Sequence, residues 1–238
     1  MISAVGYQFA AIVLSPILLA QGIYVRLVTP KLPEPSGVRS GAEGAGKSLR
    51  LLILGDSAAA GVGSDSQSSA LSGQLVSALS SHYYVTWRLM ARTGHRALDV
   101  INHVESADPE IFDAAVVSVG VNDVTAGTSL KNWQDTLGRL CDQLRFKFGI
   151  QHVFLSSLPP MHAFPALPTL LRWYAGKRAA SLNRAMKDLI ATREDCEFVE
   201  TAFPLIKTFI ATDGFHPGPA AYTMWAEQMA RVIRQKWQ

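Results

Sequence analysis

Apolar residues recur along this chain in two rhythms. Short unbroken runs, "LRLLILG" (49–55), "YVTWRLMAR" (84–92), "FDAAVVSVG" (112–120), "QHVFLSSLPP" (151–160) and "CEFVETAF" (196–203), predict buried strands. Between them lie stretches with helical spacing: "SALSGQLVSALSSH", "HRALDVINHVES", "SLKNWQDTLGRLCDQLRFKFG" and "KRAASLNRAMKDLIATRE", with a last helix within 218–237. Strands alternating with helices predict an α/β domain, a doubly wound sheet that is parallel at its centre. In such sheets chemistry sits at the carboxyl ends of the strands.

The first part of the chain breaks this rhythm. Ala4 to Val25 carry no charged side chain, a length that a membrane-crossing helix needs, although Gln8, Ser15, Pro16 and Gln21 interrupt it. Residues 1–28 are therefore expected to be a membrane anchor or export segment, which points to a membrane-associated or exported protein; the alternative is a hydrophobic helix packed on the domain or in a dimer contact, which leaves a cytoplasmic location open. Arg26, Lys31, Arg39, Lys47 and Arg50 all follow it, a flank that holds the downstream domain on the cytoplasmic side. Residues 29–48 are rich in Pro, Gly and Ser and read as an extended connection, so that the folded domain covers 49–238. With 238 residues and 48% hydrophobic side chains, one sizeable core is possible. A net charge of +3 with scattered Lys and Arg speaks against nucleic acid as a partner. Cys141 and Cys196 are too few for a disulfide framework, and their number leaves their pairing open.

Two stretches propose chemistry. Gly41 to Ser48, "GAEGAGKS", matches the phosphate-binding G-x-x-x-x-G-K-[ST] loop and would make the chain a nucleotide binder through Lys47 and Ser48. That loop needs a strand before it and a helix after it; here a Pro-rich stretch precedes and a strand follows, so a chance match in a connection is the better reading. The second stretch is "GDSAAAGVG", where a buried strand stops at Gly55-Asp56-Ser57. Taken alone it is equally a helix cap or an exposed nucleophile. Asp213 and His216, three apart in "ATDGFHPGPAAY", add a carboxylate that can orient an imidazole and an imidazole that can take the proton of Ser57. Gly94 and Asn122, each just past a strand, add a backbone N–H and an amide which, with the N–H of Ser57, form a candidate oxyanion site. Asp56 is assigned to supporting the turn.

As a set these residues resemble the SGNH hydrolases, also called GDSL esterases and lipases. The four blocks match as Ser57 in "GDS", Gly94 in "RTGHRALDV", Asn122 in "GVND" and His216 in "DGFHP", with Asp213 completing the triad. The resemblance runs from Leu49 to Lys236; the second block keeps its glycine and little else, and the first lacks the family's leucine. It implies a flavodoxin-like three-layer α/β/α sandwich, the SGNH hydrolase fold, and serine-based hydrolysis of a small-molecule ester or thioester without a metal or other cofactor. The apolar stretch 159–176 is a candidate substrate wall. A non-catalytic binding protein on the same fold is the other alternative.

Overall fold

The computed structural model describes residues 10–201, 203, 204, 206 and 208–237. A six-stranded sheet forms its middle layer: β1 (Ser40–Glu43), β2 (Lys47–Gly55), β3 (Tyr83–Ala91), β4 (Ala114–Ser118), β5 (His152–Ser156) and β6 (Cys196–Val199). Their spatial order is β1-β3-β2-β4-β5-β6. Only β1 runs antiparallel to its neighbour; every other pairing is parallel. The helices are α1 (Ser15–Val28), α2 (Ser57–Ala60), α3 (Leu71–Ser80), α4 (Ala97–Ser106), α5 (Val121–Ala126), α6 (Leu130–Phe148), α7 (Thr169–Ile190) and α8 (Pro219–Lys236).

The central strand shows why the chain layers in this way. In β2, Leu49, Leu51 and Ile53 point to one face and Leu52 and Leu54 to the other, all essentially inaccessible. A strand apolar on both faces must be covered twice. One face packs on α3 and α8 through Leu71, Leu75, Tyr222 and Met229. The opposite face packs on α4, α6 and α7 through Val100, Trp133, Leu140 and Leu182. This is the expected three-layer α/β/α architecture. The strand order reverses at β2: β3 lies to one side of it and β4 to the other, which leaves a crevice at their carboxyl ends. Cys141 and Cys196 are both free and buried.

The N-terminal region departs from its expected behaviour. Among the described residues no helix is long and apolar enough to cross a membrane. Helix α1 has 14 residues and continues a helical stretch at residues 10–13, to which Leu14 and Leu18 connect it through their N–H groups. Residues 4–9 of the expected span lie outside the described residues. Helix α1 instead rests on the domain: Leu18 is buried, Val25 packs on the core, and the backbone N–H of Leu171 donates to Gln21 Oε1 at 3.1 Å. Its outer side bears Ile17, Leu19, Ile23, Tyr24, Leu27 and Val28, all more than half exposed.

The stretch read as an open connection is also built in. Ser36 bridges to Ser66, and residues 40–43 form β1 on the edge of β3. The formal phosphate loop at 41–48 is thereby corrected. It is the turn between β1 and β2, with Lys47 and Ser48 inside a strand, no helix after it, and a position at the amino end of β2. Without a following helix it lacks the N-terminal amides that would face a phosphate.

Candidate active site

At the carboxyl end of β2 the chain turns sharply beneath β4. A Cβ on Gly55 would lie 1.8 Å from the carbonyl oxygen of Ser118, an approach that only glycine permits. The next residue donates its N–H to that same carbonyl at 3.0 Å. Asp56 also caps the short helix α2, its Oδ1 accepting from the N–H of Ala58 at 3.0 Å. It is buried, and burial pushes its carboxyl up to about 6 against the opposing pull of the Ala58 N–H and His216. Ser57 is thus delivered at the first position of α2, on the crevice.

The other half of the pair comes from the loop before α8. Within it Asp213 Oδ1 accepts the backbone N–H of Phe215 at 2.9 Å and of His216 at 3.0 Å, the side chain closing its own turn. Its second oxygen accepts from His216 Nδ1 at 2.5 Å. Burial works to raise the Asp213 carboxyl, yet the hydrogen bonds and charge of His216 and the Phe215 N–H hold it below the usual carboxylate range. His216 Nε2 then lies 2.8 Å from Ser57 Oγ, across 159 residues of sequence. The two loops meet at Gly63, where a Cβ would sit 2.2 Å from the carbonyl oxygen of Pro217 and 3.3 Å from Cβ of His216. Gly63 is a residue that sequence reasoning missed; its place two beyond another glycine in "AGVG" was the available signal.

Gly94 and Asn122 stand at the ends of β3 and β4, as expected. They belong to one assembly: Asn122 Nδ2 donates to the carbonyl of His95 at 2.9 Å, and His95 N–H closes a turn onto the Arg92 carbonyl at 3.2 Å. Asp123, also missed, accepts the N–H of Ala97 at 3.0 Å and the hydroxyl of Thr128 at 3.1 Å. Among the described residues no hydrogen bond joins Gly94 or Asn122 to Ser57 or His216. On the other flank of Ser57 opens a mainly apolar cavity with about 50 Å³ of room for water-sized groups. Leu158, Phe164, Ile210 and Phe215 are among its walls; of the stretch 159–176, Pro159 and Phe164 reach it. Among the described residues no group of three or more His, Cys, Asp or Glu is placed to hold a metal ion.

With this geometry in place, the comparisons with known proteins decide the family. Residues 53–224 match the model of the GDSL-like Lipase/Acylhydrolase family. The chain belongs to that family. This GDSL-like protein is accordingly a carboxylic ester hydrolase, and its fold is shared by solved structures of low sequence identity. A lipase/acylhydrolase from Enterococcus faecalis aligns with a TM-score of 0.61 at 15% identity, covering 79% of this chain and 96% of that one. A member of the lipolytic G-D-S-L family from Veillonella parvula gives 0.62 at 14% identity, over 78% and 98% of the two chains. A carbohydrate acetylesterase from Sinorhizobium meliloti gives 0.59 at 15%, over 79% and 100%. Among curated protein sequences nothing matches this GDSL-like hydrolase.

Proposed function

We propose that the chain is a serine esterase that hydrolyses short-acyl carboxylic esters through a covalent acyl-enzyme. The observation that carries this is the continuous relay from Ser57 Oγ to His216 Nε2 at 2.8 Å and from His216 Nδ1 to Asp213 Oδ2 at 2.5 Å. Neutral His216 takes the hydroxyl proton as Ser57 attacks the ester carbonyl, and Asp213 holds the imidazole in the tautomer with Nε2 free. The carbonyl oxygen becomes an oxyanion, and the N–H groups of Ser57 and Gly94 with the Asn122 amide are proposed to receive it. His216 returns the proton to the departing alcohol. Water, activated by the same imidazole, then attacks the acyl-enzyme and releases the acid and Ser57.

The cavity beside Ser57 supports a small acyl group. With about 50 Å³ of room for water-sized groups between mainly apolar walls, it suits a short acyl chain better than a long one. A carbohydrate acetylesterase and an acetyl xylan esterase among the similar structures are consistent with that size. The exposed apolar side of α1, Ile17, Leu19, Ile23, Tyr24, Leu27 and Val28, supports a further part of the reading, an association of this helix with a lipid surface.

The test is hydrolysis of p-nitrophenyl esters from acetate to palmitate by the wild type and Ser57→Ala in parallel. Rates should be highest at two to four carbons, fall steeply beyond, and vanish in the variant. A folded Ser57→Ala protein that keeps its turnover contradicts the proposal.

A further inference from the structure

We propose that Glu34, in the segment ahead of β1, is a positioning residue for the oxyanion loop. The inference rests on the reading of Gly94 N–H as an oxyanion donor. Residues 92–96 form the loop between β3 and α4; Asp99 of α4 caps its end at the Arg96 N–H, and three side chains from more distant segments hold the loop and the first residue of α4. Asn122 holds the carbonyl of His95, and Asp123 holds the N–H of Ala97. Both lie within the residues matched by the family model. The third grip is Glu34, which lies outside them. One oxygen, Oε1, accepts both the backbone N–H of Thr93 at 2.7 Å and its hydroxyl at 2.8 Å.

The carboxylate is itself tied down. Its other oxygen accepts from Arg39 at 2.8 Å, and the Arg39 guanidinium also donates to the carbonyl of Ala91, the last residue of β3. Burial works to raise the Glu34 carboxyl, but these hydrogen bonds from Thr93 and Arg39 and the charge of Arg39 hold it below the usual range. Glu34 and Arg39 thus hold the chain at Ala91 and Thr93, while Asn122 and Asp123 hold it at His95 and Ala97. The segment that carries them is anchored beyond, by Ser36 pairing with Ser66 and by β1 pairing with β3.

The consequence follows from peptide geometry. The N–H of Gly94 belongs to the planar peptide whose other half is the carbonyl of Thr93, so its direction is set by the backbone torsions of Thr93 and Gly94. Gly94 offers no side chain to restrain it, and the space where a Cβ would lie is open. Holding Thr93 by both its N–H and its hydroxyl places its N, Cα and Cβ, and so its carbonyl carbon; with His95 held from the far side by the Arg92 carbonyl and Asn122, the peptide plane that aims the Gly94 N–H is anchored at both ends. An oxyanion donor works only when it is aimed before charge develops. Glu34 acts on the reaction through Thr93 and touches no reacting atom.

The experiment compares the full-length wild type with Glu34→Ala and Glu34→Gln, by steady-state kinetics on p-nitrophenyl acetate and by amide hydrogen exchange at Thr93 and Gly94. Removing an oxyanion donor outright costs about 10²–10³ in kcat; tilting one should cost less, about tenfold. Glu34→Ala should lower kcat by that factor with KM within about twofold and should speed exchange at Thr93. Glu34→Gln, whose amide oxygen can still accept from Thr93, should recover most of kcat. Unchanged exchange, unchanged kcat, or a glutamine variant as slow as the alanine variant overturns the proposal. The exchange result does not need turnover, and Ser57→Ala tests the reading of the site separately.

Discussion

The loop before α8 and the segment before β1 do comparable work in different ways. In the loop, Asp213 reaches His216 from three residues away, and the hydrogen bonds that the Asp213 carboxylate accepts, from Phe215 and His216, are local. In the segment, Glu34 reaches Thr93 across 59 residues. Both place a carboxylate on a residue of a loop that follows or precedes a core element, His216 in one and Thr93 in the other. Their difference shows what a sequence displays and what it conceals. A local Asp-x-x-His turn advertises its own geometry, while a lone Glu among prolines acquires a partner only when the sheet assembles.

The largest effect that tests this comparison is expected at the local contact. Asp213→Asn should lower kcat by about 10³–10⁴ while the fold persists, because the amide can donate to Nδ1 and favour the wrong tautomer. Steady-state kinetics alongside a thermal melt would check this; a loss below about tenfold would place Asp213 outside the relay. The distant contact, Glu34 on Thr93, ranks next at about tenfold, so the two carboxylates should differ by at least two orders of magnitude. Equal losses would erase the distinction between orienting the base and aiming a donor.

The third carboxylate of the site should act on stability more than on rate. Asp56 has its carboxyl raised by burial to about 6, from an ordinary 3.8. A raised carboxyl binds its proton more tightly in the folded than in the unfolded protein. Folding stability therefore falls as pH rises from about 4 to about 6 and stays lower above that. Two units correspond to about 3 kcal/mol. Asp56→Asn, which can still accept from Ala58 N–H, should lack this fall. Urea midpoints of both proteins between pH 4 and pH 7 would show it; parallel curves would contradict the buried, protonated state.

Much of the domain was legible in the sequence because a central parallel sheet demands unbroken apolar runs, and "LRLLILG" and "FDAAVVSVG" leave little else to be. The contact of Asp213 with His216 was legible for the local reason already given, and Ser57 for the abrupt stop of its strand at Gly55-Asp56-Ser57. What escaped has a common cause. Strand β1 is "SGAE", four exposed residues with no apolar alternation, held by main-chain pairing to β3 and by Glu43 accepting from the Ser80 hydroxyl. The charge-free stretch at the N-terminus suggested a membrane span because composition carries no record of docking, whereas Gln21 and Val25 seat its helix on α7 and the core. Asp123 and Glu34 are polar residues whose roles lie in hydrogen bonds across 26 and 59 residues, a separation that no periodicity reveals. The cavity walls bring Leu158 and Phe164, which follow β5, against Ile210 and Phe215 of the loop before α8, a meeting that only the assembled sheet creates.

The central claim is that Ser57 is the nucleophile, activated by His216. The most direct measurement is covalent trapping: the wild type and His216→Ala are treated with a small fluorophosphonate, and the labelled peptide is located by mass spectrometry. One adduct per chain on Ser57, formed rapidly in the wild type and slowed by several orders of magnitude in His216→Ala, is the expected result. An esterase that loses activity with the label on another residue, or labels equally fast without His216, would contradict it.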